Sequence, residues 1–205
     1  RKDKIVALRL GSSYEFVDKY WGANIFSGEF SKGLNFLDVT KDDSAPVKRT
    51  RNGARSNFTK IKFSAVRLQY LPKYFSILFG LSGQHSLHQL LSGEEFGFGG
   101  HDYGKAFDNS TIVGDHGLAA KVEFRYDANP SFLDKMQLFT FYDVGKTRSI
   151  NENRNNEKAA SGGFGARLIL NKHFSAALQV ARPLEHEGNR GNKRKRFFFS
   201  VGAHL

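Results

Sequence analysis

The feature that most constrains this chain is a two-residue alternation of apolar and polar side chains that recurs along most of its length. Successive side chains of a strand point to opposite faces, so strict alternation marks a strand with two chemically different sides. Ala120, Val122, Phe124 and Tyr126 alternate with Lys121, Glu123 and Arg125. Phe197, Phe199, Val201, Ala203 and Leu205 alternate with Phe198, Ser200, Gly202 and His204. The same period runs through "IVALRLGSSYE", "YFSILFGLSGQ" and "FSAALQVA". The spacing predicts strands over 4–16, 19–31, 58–71, 74–86, 117–127, 133–146, 160–171, 173–184 and 194–205. In "FTKIKFSAVRLQY" the apolar positions change parity between Phe63 and Val66, which predicts a bulge near 64–66. Tyr20–Phe30 reads as a strand whose faces the pattern does not assign.

The connections sort by length. Short ones fall near 17, 72, 128–132 and 172; long ones span 32–57, 87–116, 147–159 and 185–193. Alternating short turns and long loops belong to transmembrane antiparallel barrels, whose apolar face meets lipid and whose polar face lines a lumen. No run approaches the roughly 18 apolar residues of a membrane helix, which leaves a strand-built membrane protein open. Phe is abundant at 20 and Gly at 21, while Pro is scarce at 4. The fold class expected is all-β, the C-terminal part of a transmembrane antiparallel β-barrel. Single-chain bacterial barrels close with an even number of strands. An odd count therefore predicts further strands ahead of Arg1.

The formal charge is +11, with basic clusters at Lys48–Arg55 and Gly188–Arg196. Such clusters suit nucleic acid, solvated loops or anionic lipid headgroups, and the barrel pattern favours the last two. Cys is absent, so disulfides and thiolate metal sites are excluded. His85/His88 and His101/His116 lack the spacing of a metal site. "GFGG" and "GGFGAR" lack the strand–loop–helix setting of a phosphate loop. Nothing supplies a hydrolytic nucleophile, and neither cofactor nor metal is expected.

Two segments stand out. The 87–116 loop interleaves glycines with Phe96, Phe98, Tyr103 and Phe107, aromatics that seek burial. Its length and chemistry predict that it folds back against the inner wall. "LFTFYDVGK" places Asp143 on the same face as Phe139 and Phe141. A half-buried carboxylate needs a partner.

"EEFGFGGHDYGKAFD", "GDHGLAAKVEFRYD" and "FTFYDVGK" together resemble the outer-membrane translocators of two-partner secretion, the haemolysin and adhesin secretion/activation family within the barrel-assembly superfamily. The resemblance rests on Glu94, Glu95 and Phe96; on the glycines Gly99, Gly100, Gly114 and Gly117; on Gly104, Lys105, Ala106 and Phe107; on Asp115; and on Phe141, Asp143 and Gly145. It implies a barrel of about 16 strands, of which this chain holds the last nine or so, with periplasmic domains upstream and residues 87–116 inserted in the lumen. It implies a bacterial outer-membrane location. The partners implied are a secreted passenger of haemolysin or adhesin type and outer-membrane lipid; no nucleic acid is expected. It also implies that the loop residue at position 105 pairs with Asp143. That position is usually Arg in the family and is Lys105 here. Lys lacks the two-pronged donor geometry of Arg, so a weaker or water-bridged contact is expected, with Arg125 a second candidate cation. Lys121, Glu123 and Arg125 are expected to line the lumen. The alternatives are an insertase of the same superfamily and a passive pore.

Overall fold

The computed structural model describes residues 3–35, 51, 53–128, 130, 133–150, 156–171, 173–186 and 194–203. In chain order the strands are β1 (Val6–Val17), β2 (Gly22–Leu34), β3 (Thr59–Tyr70), β4 (Phe75–Ser86), β5 (Phe96–Phe98), β6 (Ile112–Gly114), β7 (His116–Ala128), β8 (Lys135–Arg148), β9 (Glu157–Asn171), β10 (Phe174–His186) and β11 (Arg196–Ala203). A 3-10 turn occupies Ser92–Glu94. Nine of the strands form one sheet in the order β1-β2-β3-β4-β7-β8-β9-β10-β11. Every neighbouring pair is antiparallel. The nine strands expected from alternation are all present, with ends displaced by a few residues. β5 and β6 form a separate hairpin inside the 87–116 loop.

Residues opposite one another in an antiparallel ladder share a face. The register thus sorts the whole sheet. One face carries Leu10, Phe30, Ile61, Phe79, Tyr142, Phe164, Leu178 and Phe199, all well exposed. The other carries Arg9, Lys60, Gln84, Lys121, Glu123, Asp143 and Ser161. The 87–116 loop packs on this second, polar face. Phe98, Phe107 and Ile112 bury themselves there against Ala119 of β7 and Ala159 of β9. Ala106 joins Phe139, Phe141 and Ala181 in a second cluster. Burial is therefore inverted: the apolar face is open and the charged face is covered. A soluble sheet would not expose so large an apolar surface, whereas a barrel wall facing lipid does.

β3 departs from expectation. Its pairings with β2 and β4 run without interruption from Lys60 to Gln69, so the bulge predicted near 64–66 is absent. The register holds because each misplaced side chain finds a match. Val66 faces Ile25 and Leu68 faces Leu78 across the ladders on the loop-bearing face. Arg67 turns to the open face and bonds Asp18, Asn24 and Gln69. The irregularities that do occur lie between β9 and β10, at Phe174/Ser175 and Pro183/Glu185. β2, whose faces the sequence left unassigned, directs Phe26 and Phe30 outward at 47% and 44% exposure.

The glycine run in β9 has a packing cause. A Cβ on Gly163 would lie 2.7 Å from Phe141 Cζ, and one on Gly165 would lie 2.5 Å from Phe139 Cζ. The run makes room for two inward phenyl rings. Tyr20, Trp21, Tyr70 and Tyr74, each more than half exposed, gather at the short-turn end. Amphipathic aromatics in that position suit a membrane interface.

Candidate functional site: the loop and its two anchors

The loop descends from β4, turns through the β5–β6 hairpin and presents Gly99 to Thr111 as a tip over β7, β8 and β9. Asp143 on β8 meets that tip and is 0% exposed. Its Oδ2 accepts the backbone N–H of Gly104 at 3.1 Å and of Lys105 at 3.2 Å, and the Ser161 hydroxyl at 3.3 Å. Lys105 Nζ reaches Oδ1 at 3.4 Å and stands 4.3 Å from the centre of the Phe141 ring. The contact is direct rather than water-bridged. The carboxylate is thus held by two backbone amides as well as by the ammonium.

Gly104 makes that approach possible. Its φ is +79°, a conformation that costs other residues. A Cβ there would also lie 2.7 Å from the Phe98 ring. Gly145, two residues after Asp143 on the same face, leaves the floor on which Phe98 rests; a Cβ would come within 2.3 Å of Cδ2. Gly145→Ala is expected to displace Phe98 and lower stability by about 1–3 kcal/mol. Thermal unfolding of the purified protein measures this, and an unchanged midpoint would contradict it.

Of the other sequence-predicted residues, Phe107 stacks obliquely on Phe98 at 6.2 Å. Gly99 and Gly100 turn the tip with φ of +120° and +109°. Gly117 accommodates the Phe96 ring, and Gly114 lies against the backbone of Arg148. Lys121 donates to the carbonyl of Asp102 at 3.2 Å and lies 4.9 Å from the Tyr103 ring. It therefore also grips the tip. Arg125 is not a partner of Asp143. It pairs with Glu123 at 2.7 Å, and Arg167 reaches the same carboxylate at 2.9 Å. The register sets Arg125 opposite Phe139, four residues along β8 from Asp143, while Glu123 lies beside Arg125 on the same face. Lys105, Lys121, Glu123, Arg125, Phe139 and Arg167 line a cavity of about 890 Å³ on the loop-bearing face.

A second anchor was not anticipated. Arg51 belongs to a basic cluster that reads as a solvated loop, yet it is 6% exposed. Its guanidinium forks onto Asp115 at 2.8 and 3.2 Å and donates to the Leu90 carbonyl at 2.8 Å. Glu95 Oε1 adds a charge contact at 2.9 Å. Asp115, 0% exposed, also accepts the amides of Leu90 and Ile150, each at 2.7 Å. One carboxylate thus ties both roots of the 87–116 loop to the connections that follow β2 and β8. The rest of the Lys48–Arg55 cluster falls partly, and Gly188–Arg196 mostly, outside the described residues.

Glu94 completes the base of the loop. It pairs with Lys60 and Arg9, each at 2.7 Å. Burial opposes its ionisation, but Lys60 and Arg9 outweigh that and hold the carboxyl below its ordinary value of 4.5. A depressed carboxylate contributes stability above its unfolded value and loses it as the pH falls through the folded one. Protease access to residues 87–116 is expected to rise below about pH 4 in wild type. In Glu94→Gln it should be raised already at neutral pH. Equal access at both pH values in wild type would refute this.

Among the described residues, no group of three or more metal-ligating side chains converges. His85 faces His116, with Nδ1 atoms 3.1 Å apart, while His88 accepts the Thr59 amide.

Comparison with known proteins bears on this arrangement. The chain superposes on CdiB from Escherichia coli with a TM-score of 0.83 and 17% identity, covering 98% of this chain and 37% of that one. CdiB from Acinetobacter baumannii gives 0.57 and 15%, covering 97% and 42%. At such identities the likeness establishes the fold, and this chain spans well under half of either protein. No curated protein sequence gives a significant match. The family model for the haemolysin secretion/activation protein ShlB/FhaC/HecB matches residues 2–168, and the chain belongs to that family.

Proposed function

We propose that this chain is the C-terminal part of an outer-membrane barrel that conducts an unfolded haemolysin- or adhesin-type partner protein out of the cell. Residues 87–116 sit in the lumen as the element that shapes the path. The observation that carries this reading is the inverted burial. The apolar face is open, as lipid requires. The polar face holds a structured loop, fixed at its base by Asp115 and at its tip by Asp143. Lys105 and Asp143 act together as a loop-to-wall lock, with Phe141, Gly104, Phe107 and Gly145 shaping its seat. Lys121, Glu123, Arg125 and Arg167 give the passage a polar wall along which an extended chain can exchange hydrogen bonds. Folding of the partner outside supplies direction, since nothing in the sequence suggests a nucleotide-driven step.

The test is co-production of the full-length protein with a candidate partner in cells lacking other exporters. The expected result is partner in the medium only when the barrel is present and inserted. Solute conductance without partner export would instead favour a passive pore. Failure of other barrels to assemble on depletion would favour an insertase.

A further inference from the structure

On the open face of four adjacent strands, β4, β7, β8 and β9, charge is sorted along the strand axis. Reading the open-face positions by register gives Phe75 to His85, His116 to Ala128, Met136 to Arg148 and Lys158 to Leu168. These positions hold no acidic residue. The short-turn end is aromatic, with Phe75 packed 5.3 Å from Phe124 and 4.9 Å from Tyr126. The middle is apolar. Every basic group sits at the long-loop end: His85, His116, Lys146, Arg148 and Lys158.

These groups are opposed directly. Arg148 stands across the ladder from His116, and Lys146 from Lys158. The rings of His85 and His116 lie 4.6 Å apart. Like charges directly opposite one another on a sheet repel; Lys146 and Lys158 form such a pairing, with Arg148 two residues along β8. Lys146, Arg148 and Lys158 are exposed. Immediately below them on the same face lie Leu118 and Val144, at 50% and 37% exposure.

We propose that this patch is a binding surface for the phosphate-bearing headgroup of an anionic membrane lipid, which rests on the outward orientation assigned under Proposed function. A phosphate between Lys146, Arg148 and Lys158 is attracted by all three cations at once. Guanidinium and ammonium both bind phosphate well. The continuous apolar surface beneath the cations selects a lipid over a free anion, because acyl chains then cover Leu118 and Val144. The two imidazoles add hydrogen-bond donors at the rim.

The test uses the full-length protein inserted in vesicles of phosphatidylcholine alone or mixed with phosphatidic acid. Lipids retained on the protein are counted by native mass spectrometry. Wild type is expected to retain phosphatidic acid in preference to phosphatidylcholine, with the preference falling as salt rises. Lys146→Glu and Arg148→Glu should each weaken it by about fivefold or more. Lys135→Gln, on the opposite face at the short-turn end, should leave it unchanged. Equal retention of both lipids, or full preference in both variants, would overturn the proposal. Displacement of the lipid by inorganic phosphate alone would do the same, since it would show a free-anion site. Failure of wild type to enter vesicles would overturn the barrel reading as well. Insertion without preference would overturn this proposal alone.

Discussion

Asp143→Ala is expected to remove most partner secretion, while Lys105→Ala retains a substantial fraction. The carboxylate of Asp143 receives the Gly104 and Lys105 amides, the Lys105 ammonium and the Ser161 hydroxyl. Deleting it strands all four donors in a site that is closed to water, at a cost of about 3–5 kcal/mol. Deleting the lysine side chain leaves the carboxylate with both amides and the hydroxyl, and costs about 1–3 kcal/mol. The exchange Lys105→Asp with Asp143→Lys rebuilds the ion pair but gives the amides no acceptor, so it should rescue Lys105→Asp only in part. Secreted partner is to be normalised to folded barrel in the outer membrane. Equal losses in the two single variants, or full rescue by the exchange, would show that charge alone holds the tip. Lys105→Arg is expected to be tolerated, because the backbone contacts do not depend on the side chain that follows them.

The second large effect falls at the base of the loop. Asp115→Ala should release the Arg51 fork and the Leu90 and Ile150 amides together, again at about 3–5 kcal/mol. Arg51→Ala leaves a buried carboxylate with its charge partner gone and should cost a similar amount. Because the two residues share the fork, the double variant should cost less than the sum of the two single ones. Arg51→Lys keeps the charge but loses the fork and should fall in between. Limited proteolysis of the inserted protein reads the result, with cleavage at residues 99–111 increasing in each variant. Strictly additive effects would show that Arg51 and Asp115 stabilise the loop separately.

Most of the architecture was legible because a strand in this setting must alternate, and Lys121, Glu123 and Arg125 could not share a face with Val122 and Phe124. Asp143 was legible for the same reason: a carboxylate in phase with two phenylalanines cannot stay unpartnered. Arg51 was not. It is 64 residues from Asp115 in sequence and lies in a run of basic residues, where composition argues for solvent. The available signal was Asp115 itself, a charge held between glycines at the start of an apolar strand, to which the reasoning used for Asp143 applied equally. The expected bulge in β3 failed because parity was counted within one strand. Cross-strand partners decided the matter: Ile25 and Leu78 accept Val66 and Leu68, and Asp18 and Asn24 satisfy Arg67 on the open face. Arg125 was misassigned because the pairing register is not written in either strand alone: it sets Lys121 opposite Asp143 and Arg125 four residues away, opposite Phe139.

Neighbouring positions on β7 test the central claim most directly. Arg125 lies on the loop-bearing face and Phe124 on the open one. A photo-crosslinking amino acid placed at each position, in the full-length protein during partner export, reports what passes each face. The expected result is a covalent adduct with the partner at position 125 and none at position 124, where lipid is the neighbour. Adducts at both positions, or at 124 alone, would contradict a protein-conducting path along the polar face.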